Sequence, residues 1–268
     1  MNYLVDVVVV GDSTEGYEII KKMAPANPAI KMAFISREFK STTTYDFLNV
    51  EYLKEEVIFT NYKNRLFGCF LRNGDRVYST HLIIATGLAY APLVLNNEVV
   101  PCVFNSLTDI PKTTKNQPAI VIGQQNSDVK FALDVAKKYK QVYFCTDKLT
   151  IDNITTANEK KLAESENIVV LPNTSLLKAI VSDGLLQGVE LDNYSTLTCS
   201  AIYVKTEATP EVTFISDKLI KKTTSGHLEV SDIAESSIIP KCYAIGNCAK
   251  KSTKKMSQAM VEEILKDF

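Results

Sequence analysis

The sequence predicts an α/β protein built from two similar strand–helix–strand domains, and three observations predict it. A β-branched run from Leu4 to Val10 stops at Gly11 and gives way to a helical pattern, as a strand covered on both faces of a parallel sheet does. The same pattern returns at Ala119–Ile122 and stops at Gly123, 112 positions after Gly11. The chain has 268 residues, 46% apolar and 23% charged, with only 10 Gly and 9 Pro. That is the composition of an ordinary globular protein, and at about 150 residues per domain it makes one large or two small domains.

Taken in order, the first strand is followed by a helix over 14–24, where Ile19, Ile20 and Met23 share a face; the Pro25–Pro28 region closes it. A second strand runs over 29–35. The runs 66–70 and 76–78 flank Asn73-Gly74, a hairpin signal because this pair supplies the positive φ angles of a tight primed turn. The Thr- and Lys-rich stretch 108–118 reads as a surface connection into the second domain. That domain continues with a helical pattern over 129–136 and strands over 141–145, 168–171, 176–181, 188–191 and 201–204. A return connection falls near 207–210, a further buried strand at 242–246, and an amphipathic helix over 257–268 ends the chain.

Charge and cysteine usage exclude several classes. Lys plus Arg number 30 against 31 acids, a net charge of −1, so no global positive field exists to hold nucleic acid. The six cysteines, at 69, 102, 145, 199, 242 and 248, form no C-x-x-C pair and no zinc spacing, so no metal site is expected. No run approaches 20 apolar residues and no signal-peptide pattern opens the chain, so the expectation is a cytoplasmic protein with reduced thiols and no membrane segment. His81 and His227 stand alone in strand contexts and receive no role.

The chemistry concentrates at two turns. Gly11-Asp12-Ser13-Thr14-Glu15-Gly16 keeps the outer glycines of G-x-G-x-x-G and places Ser13 in the middle. In that motif the first glycine permits the tight turn, the second lets backbone approach a pyrophosphate, and the third lets helix pack on strand. Ser13 still offers an N–H and adds a hydroxyl, while Asp12 and Glu15 bring negative charge beside the anion position. Glu38, after the second strand, is either an acceptor for adenosine ribose hydroxyls or a solvated acid beside Arg37. The second turn, Gly123-Gln124-Gln125-Asn126-Ser127-Asp128, keeps only its first glycine. Asp147 follows the next strand, where an acid favours NAD over NADP, although Lys148 beside it argues the other way.

Three further strings carry a family resemblance. Thr80-His81-Leu82-Ile83-Ile84-Ala85-Thr86-Gly87, with Pro92 beyond it, resembles the A-T-G segment of the two-dinucleotide-domain flavoproteins, the pyridine nucleotide-disulfide oxidoreductases. Leu107-Thr108-Asp109 resembles their link to the second domain, and Tyr243-Ala244-Ile245-Gly246-Asn247 resembles their late A-x-G-D segment. The matches keep the family's order and span most of the chain. In size the chain is similar to the thioredoxin reductase branch, and Val99–Asn126 is also similar to the NADH oxidase and rubredoxin reductase branches.

The resemblance implies two Rossmann-like domains, three-layer ββα/βαβ, with the second inserted in the first. An FAD-binding domain would comprise 1–110 and 207–268, and an NAD(P)H-binding-like domain 111–206. It implies FAD contacts from Gly11, Ser13, Thr14, Gly16, Glu38, Ala85, Thr86, Gly87, Gly246 and Asn247, and NAD(P)H contacts from Gly123, Asn126, Ser127 and Asp147. Tyr45 and Phe47 are candidates to cover a flavin ring, or are core or surface aromatics. The implied activity is hydride transfer from NAD(P)H through FAD to a small-molecule or small redox-protein acceptor, and a homodimer is compatible with it.

Departures accompany the matches. Cys102-Val103-Phe104-Asn105 has Asn where a redox C-x-x-C would have its second cysteine, so a dithiol relay is not expected there. No cysteine lies in 41–56, Asn247 replaces the family's Asp, and Glu262-Glu263 stand where small residues usually approach the flavin. Cys102 and Cys248 read either as reactive thiols or as small buried apolar residues. The alternative to catalysis is a degenerate relative that binds one nucleotide or none and acts as a binding or regulatory protein.

Overall fold

The computed structural model describes residues 1–39, 47–106, 116–206, 208–251 and 253–268. These divide into two compact units, Met1–Ala89 with Ala208–Phe268, and Tyr90–Glu207. Residues 90–106, expected with the outer domain, belong to the inner unit because Val100 is buried in its core and Leu93, Leu95, Cys102 and Val103 pack against that core. Val100 packs with Ile120 and Leu186, and Val103 pairs with Ile202.

In the outer unit, β1 (Asn2–Val10) leads into α1 (Thr14–Ala26) and β2 (Met32–Ser36). Then come β3 (Val50–Lys54), β4 (Val57–Lys63), β5 (Leu66–Leu71) and β6 (Arg76–Ile84). They form one sheet in the order β3-β2-β1-β6-β5-β4, with the strand Cys242–Ala244 also on β6. The first four neighbours run parallel, and β4-β5-β6 is an antiparallel meander. On the edge away from β1, β6 serves two partners: residues 76–79 pair with β5 and 82–84 with Cys242–Ala244.

Alternation along β1 explains the unbroken apolar run Val7–Val10. Val7 and Val9 meet Ile19, Ile20 and Met23 of α1 and Met260 and Ile264 of the C-terminal helix Lys254–Leu265. Val8 and Val10 meet the opposite core, with Phe67, Cys69, Val212 and Phe214. A strand buried on both faces has no polar position to spare. Pro25 lies inside the last turn of α1 rather than beyond it. Asn49 Nδ2 donates to the carbonyls of Ala24 and Ile30 at 3.1 and 3.0 Å, tying the helix end down.

In the inner unit five parallel strands take the order Val103–Phe104, Ala201–Val204, Pro118–Ile122, Gln141–Cys145, Ile168–Leu171. α2 (Asn126–Ala136) and α3 (Thr156–Ala163) cover one face. The antiparallel strands Leu176–Ser182, Leu185–Leu191 and Thr196–Thr198 cover the other. Both units therefore have a parallel sheet between helices and a β-meander, the three-layer Rossmann-like arrangement expected of the sequence. Among the described residues no helix is long and apolar enough to cross a membrane.

Candidate functional site

The first turn is shaped by its neighbours within the outer unit. Gly11 has φ +101°, and a Cβ there would lie 2.5 Å from Thr86 Cα and 2.6 Å from the Ala85 carbonyl carbon. Its requirement for glycine is thus set by protein backbone. Gly16 sits so close under the turn that a Cβ would fall 2.4 Å from the Gly11 carbonyl oxygen, which is the helix-on-strand packing role of the third motif glycine. Ser13 caps α1: its Oγ accepts from the Gly16 N–H at 3.3 Å, and its own N–H donates to the Ala85 carbonyl at 3.3 Å. Thr14 is exposed on the first turn of the helix.

Ala85, Thr86 and Gly87 follow β6 at the same carboxyl edge, so the structure brings these sequence-predicted residues together. The Thr86 hydroxyl is buried, and its oxygen has no hydrogen-bond partner of ordinary geometry among the described residues. It lies beside the Cys248 thiol, whose ionised form it and the Gly87 N–H would stabilise; burial outweighs them and pushes that thiol's pKa up. Gly246 has φ +74° and faces Glu15, whose Oε2 lies 3.0 Å from the position of an added Cβ. Asn247 is exposed on the short turn Gly246–Cys248.

A cleft of about 420 Å³ opens beside this turn, between the tips of β1 and β2 and the return segment. Its apolar wall includes Val10, Ile35, Val57, Leu88 and Phe214, and Glu38 stands at its rim beyond β2. Five carboxylates line it, on Asp12, Glu38, Glu55, Glu56 and Glu211, against one cation among the described residues, Arg37, which pairs with Glu211. A hydrogen bond of 2.7 Å from Arg72 holds the Glu56 carboxyl below the usual carboxylate range. In water a like charge about 8 Å away opposes a bound phosphate by about 0.5 kcal/mol. The balance therefore suits hydroxyl and amine donors in the cleft better than a phosphate. Glu55, Glu56 and Glu211 are absent from the sequence-derived candidates, because they enter from β3–β4 and from the distant return segment.

The second turn is internally committed. Asp128 Oδ2 accepts from the backbone N–H groups of Gln124 and Gln125 at 3.0 and 3.1 Å, beside Gly123. Asn126 Oδ1 accepts from the Thr155 N–H at 3.1 Å and from Asn158 Nδ2 at 2.9 Å, tying α2 to the start of α3. Asp147 Oδ1 accepts from Gln124 Nε2 at 2.7 Å, and the Ser127 carbonyl accepts from Lys205 Nζ at 3.5 Å. Gly123, Asn126, Ser127 and Asp147 thus meet at one end of the inner sheet, with the polar groups of the last three engaged by protein partners.

All six cysteines are free. Five are buried, and burial pushes the thiols of Cys69, Cys145 and Cys199 up to about 12 and those of Cys242 and Cys248 upward as well. Cys102 is half-buried, and Asn105 accepts from the Thr206 N–H and hydroxyl at 3.4 and 3.2 Å. Among the described residues no cluster of three or more His, Cys, Asp or Glu could hold a metal. Phe47 packs against the α1 side of the outer core, whereas Tyr45 and the 107–109 link lie outside the described residues.

Comparison with known proteins places this geometry. The family model described as pyridine nucleotide-disulphide oxidoreductase matches residues 16–246. No curated protein matches the chain. Among solved structures, thioredoxin reductase from Lactococcus lactis is similar with a TM-score of 0.67 at 17% identity, covering 98% of each chain. The enzyme from Streptococcus pyogenes gives 0.67 at 15% identity over 100% of each chain. That from T. acidophilum gives 0.65 at 16%, covering 98% of this chain and 96% of the other. These structural likenesses are of fold, and the family match spans most of the sequence. With its thioredoxin reductase-like pair of Rossmann units, the chain belongs to the pyridine nucleotide-disulphide oxidoreductase family.

Proposed function

We propose that the outer unit holds FAD, that NAD(P)H is the electron donor, and that electrons pass to an external acceptor without an internal disulfide. The observation that carries this reading is the meeting of the Gly11 turn, Thr86 and Glu38 around one cleft at the carboxyl ends of parallel strands. The residues fit the nucleoside end of the cofactor. Glu38 would accept from ribose hydroxyls, Val10, Ile35 and Phe214 would wall the base, and the buried Thr86 hydroxyl is available as a donor. Asn247 offers an amide to the hydroxyls of the ribityl chain. When bound, FAD supplies the hydride carrier that the side chains lack.

The chain's own part is to orient the cofactor and to keep thiols out of the path. Five buried thiols and Asn at position 105 support a path in which the acceptor is met at the cofactor itself, with Cys102 the one thiol left half-buried. The thioredoxin reductase neighbours favour a small redox protein, and a small molecule is the other class. A second reading, a relative that binds one nucleotide or none, is favoured by the engaged polar groups of the second turn. Anaerobic addition of NADH or NADPH to FAD-loaded protein separates the two. Bleaching of the flavin band is the expected result, and an unbleached band at saturating nucleotide discards the NAD(P)H path.

A further inference from the structure

The second turn carries a negative charge of its own where a dinucleotide phosphate would have to sit. Backbone N–H groups at the start of a helix are the donors such a phosphate uses, and α2, with 11 residues, is long enough to present them. The N–H groups of Gln124 and Gln125 both donate to Asp128 Oδ2. The side chain also fills the space beside Gly123, where an added Cβ would lie only 2.3 Å from Asp128 Cβ. A glycine that elsewhere leaves room for a ligand here leaves room for an acid from the same turn.

A second closure comes from the opposite side. The Asp152 N–H donates to the Gln124 carbonyl at 2.7 Å, and the Asn126 N–H donates to the Asp152 carbonyl at 3.1 Å. Lys148 pairs with the Asp152 carboxylate, and Asn126 Oδ1 holds Thr155 and Asn158. Residues 152–155 therefore form a strap across the turn. Lys205 Nζ, 3.8 Å from Asp128 Oδ1, is the nearby cation, so the carboxylate is held by charge as well as by N–H donors.

We propose that Asp128 is an internal stand-in for the nucleotide phosphate and sets the affinity of the inner unit for NAD(P)H low. An incoming phosphate and the carboxylate compete for the same two N–H groups and repel one another. This inference rests on the reading of the second turn as the donor site. Its test measures binding alone, while a failure of the FAD assignment is read separately from flavin content.

The experiment is a calorimetric titration of the full chain with NADH and with NADPH, for wild type, Asp128→Ala and Asp128→Asn. Asp128→Ala is expected to bind one nucleotide at least tenfold more tightly than wild type, with inorganic phosphate competing. Asp128→Asn keeps an acceptor oxygen without the charge and is expected to fall between them. Wild-type binding as tight as that of Asp128→Ala overturns the proposal, as does a lack of binding by all three proteins. Should Asp128→Ala melt below the assay temperature, Asp128→Asn decides: affinity equal to wild type overturns the proposal and a gain supports it.

Discussion

Replacing Gly11 by alanine separates what the protein requires of this glycine from what a ligand requires. The added methyl would stand 2.5 Å from Thr86 Cα and 2.6 Å from the Ala85 carbonyl carbon and oxygen, and backbone atoms cannot swing aside as a flexible side chain can. The residue would also have to hold φ +101°, at a cost of about 1–2 kcal/mol for an L residue. Overpacking against fixed neighbours adds about 1–3 kcal/mol. The sum, about 2–5 kcal/mol, is a large part of the roughly 5–15 kcal/mol by which a domain is stable. Urea unfolding of nucleotide-free protein, followed by circular dichroism, should therefore show a clear fall in midpoint for Gly11→Ala. If glycine were needed only to admit a pyrophosphate, nucleotide-free stability would be unchanged, and a loss below about 0.5 kcal/mol, the range of an ordinary surface change, would refute the reasoning.

Thiol reactivity and pH dependence offer two further tests. In native protein one thiol of six, Cys102, should react rapidly with a thiol reagent, and all six should react after unfolding; two fast native thiols would contradict the burial of the other five. Cys102→Ser should leave NAD(P)H oxidation nearly unchanged, and a large loss of rate would restore a redox role for that residue. His81 is buried between Thr80 Oγ1 and Asp267 Oδ2, each at 2.9 Å, and burial holds its pKa below the ordinary 6.5 against the pull of Asp267. The unfolded chain then binds a proton that the folded chain does not, so stability falls as pH drops below about 6.5. Asp267, held down by Lys241 and then by His81, adds a loss of the same sign at lower pH. The melting temperature should decline from pH 7 to pH 5, and His81→Gln should flatten the upper part of that decline; a flat wild-type profile would contradict this account.

The frame of both units was legible because burial on two faces writes continuous apolar runs, as in Val7–Val10 and Ala119–Ile122, and because Gly11 and Gly123 end them. β3, β4 and α3 were not. The β4–β5 turn uses Asn64 and Arg65, with φ of 55° and 64°, and without a glycine it gives no strong hairpin signal. At Asn73-Gly74, by contrast, only Gly74 has positive φ, so the turn there is a longer one than the primed two-residue form. α3 has a single buried residue, Leu162, and so writes almost no apolar periodicity.

At the site, the motif positions were legible and their commitments were not. Ser13 and Asp128 look like ligand contacts or losses in one dimension, and only the structure shows a hydroxyl spent on the Gly16 N–H and a carboxylate spent on two backbone donors. The acid lining of the cleft was half visible. Asp12 and Glu38 lie in the motif region, but Glu211 reaches the same cleft from the return segment, a non-local meeting that no local pattern records.

The central claim, that the outer unit is built to hold FAD, is tested most directly by the visible absorption spectrum of the purified chain before and after incubation with FAD and removal of the excess. The account predicts a flavin band, present at once or restored by the added cofactor, at one flavin per chain. A colourless protein that takes up no FAD would contradict it and leave the non-catalytic reading in its place.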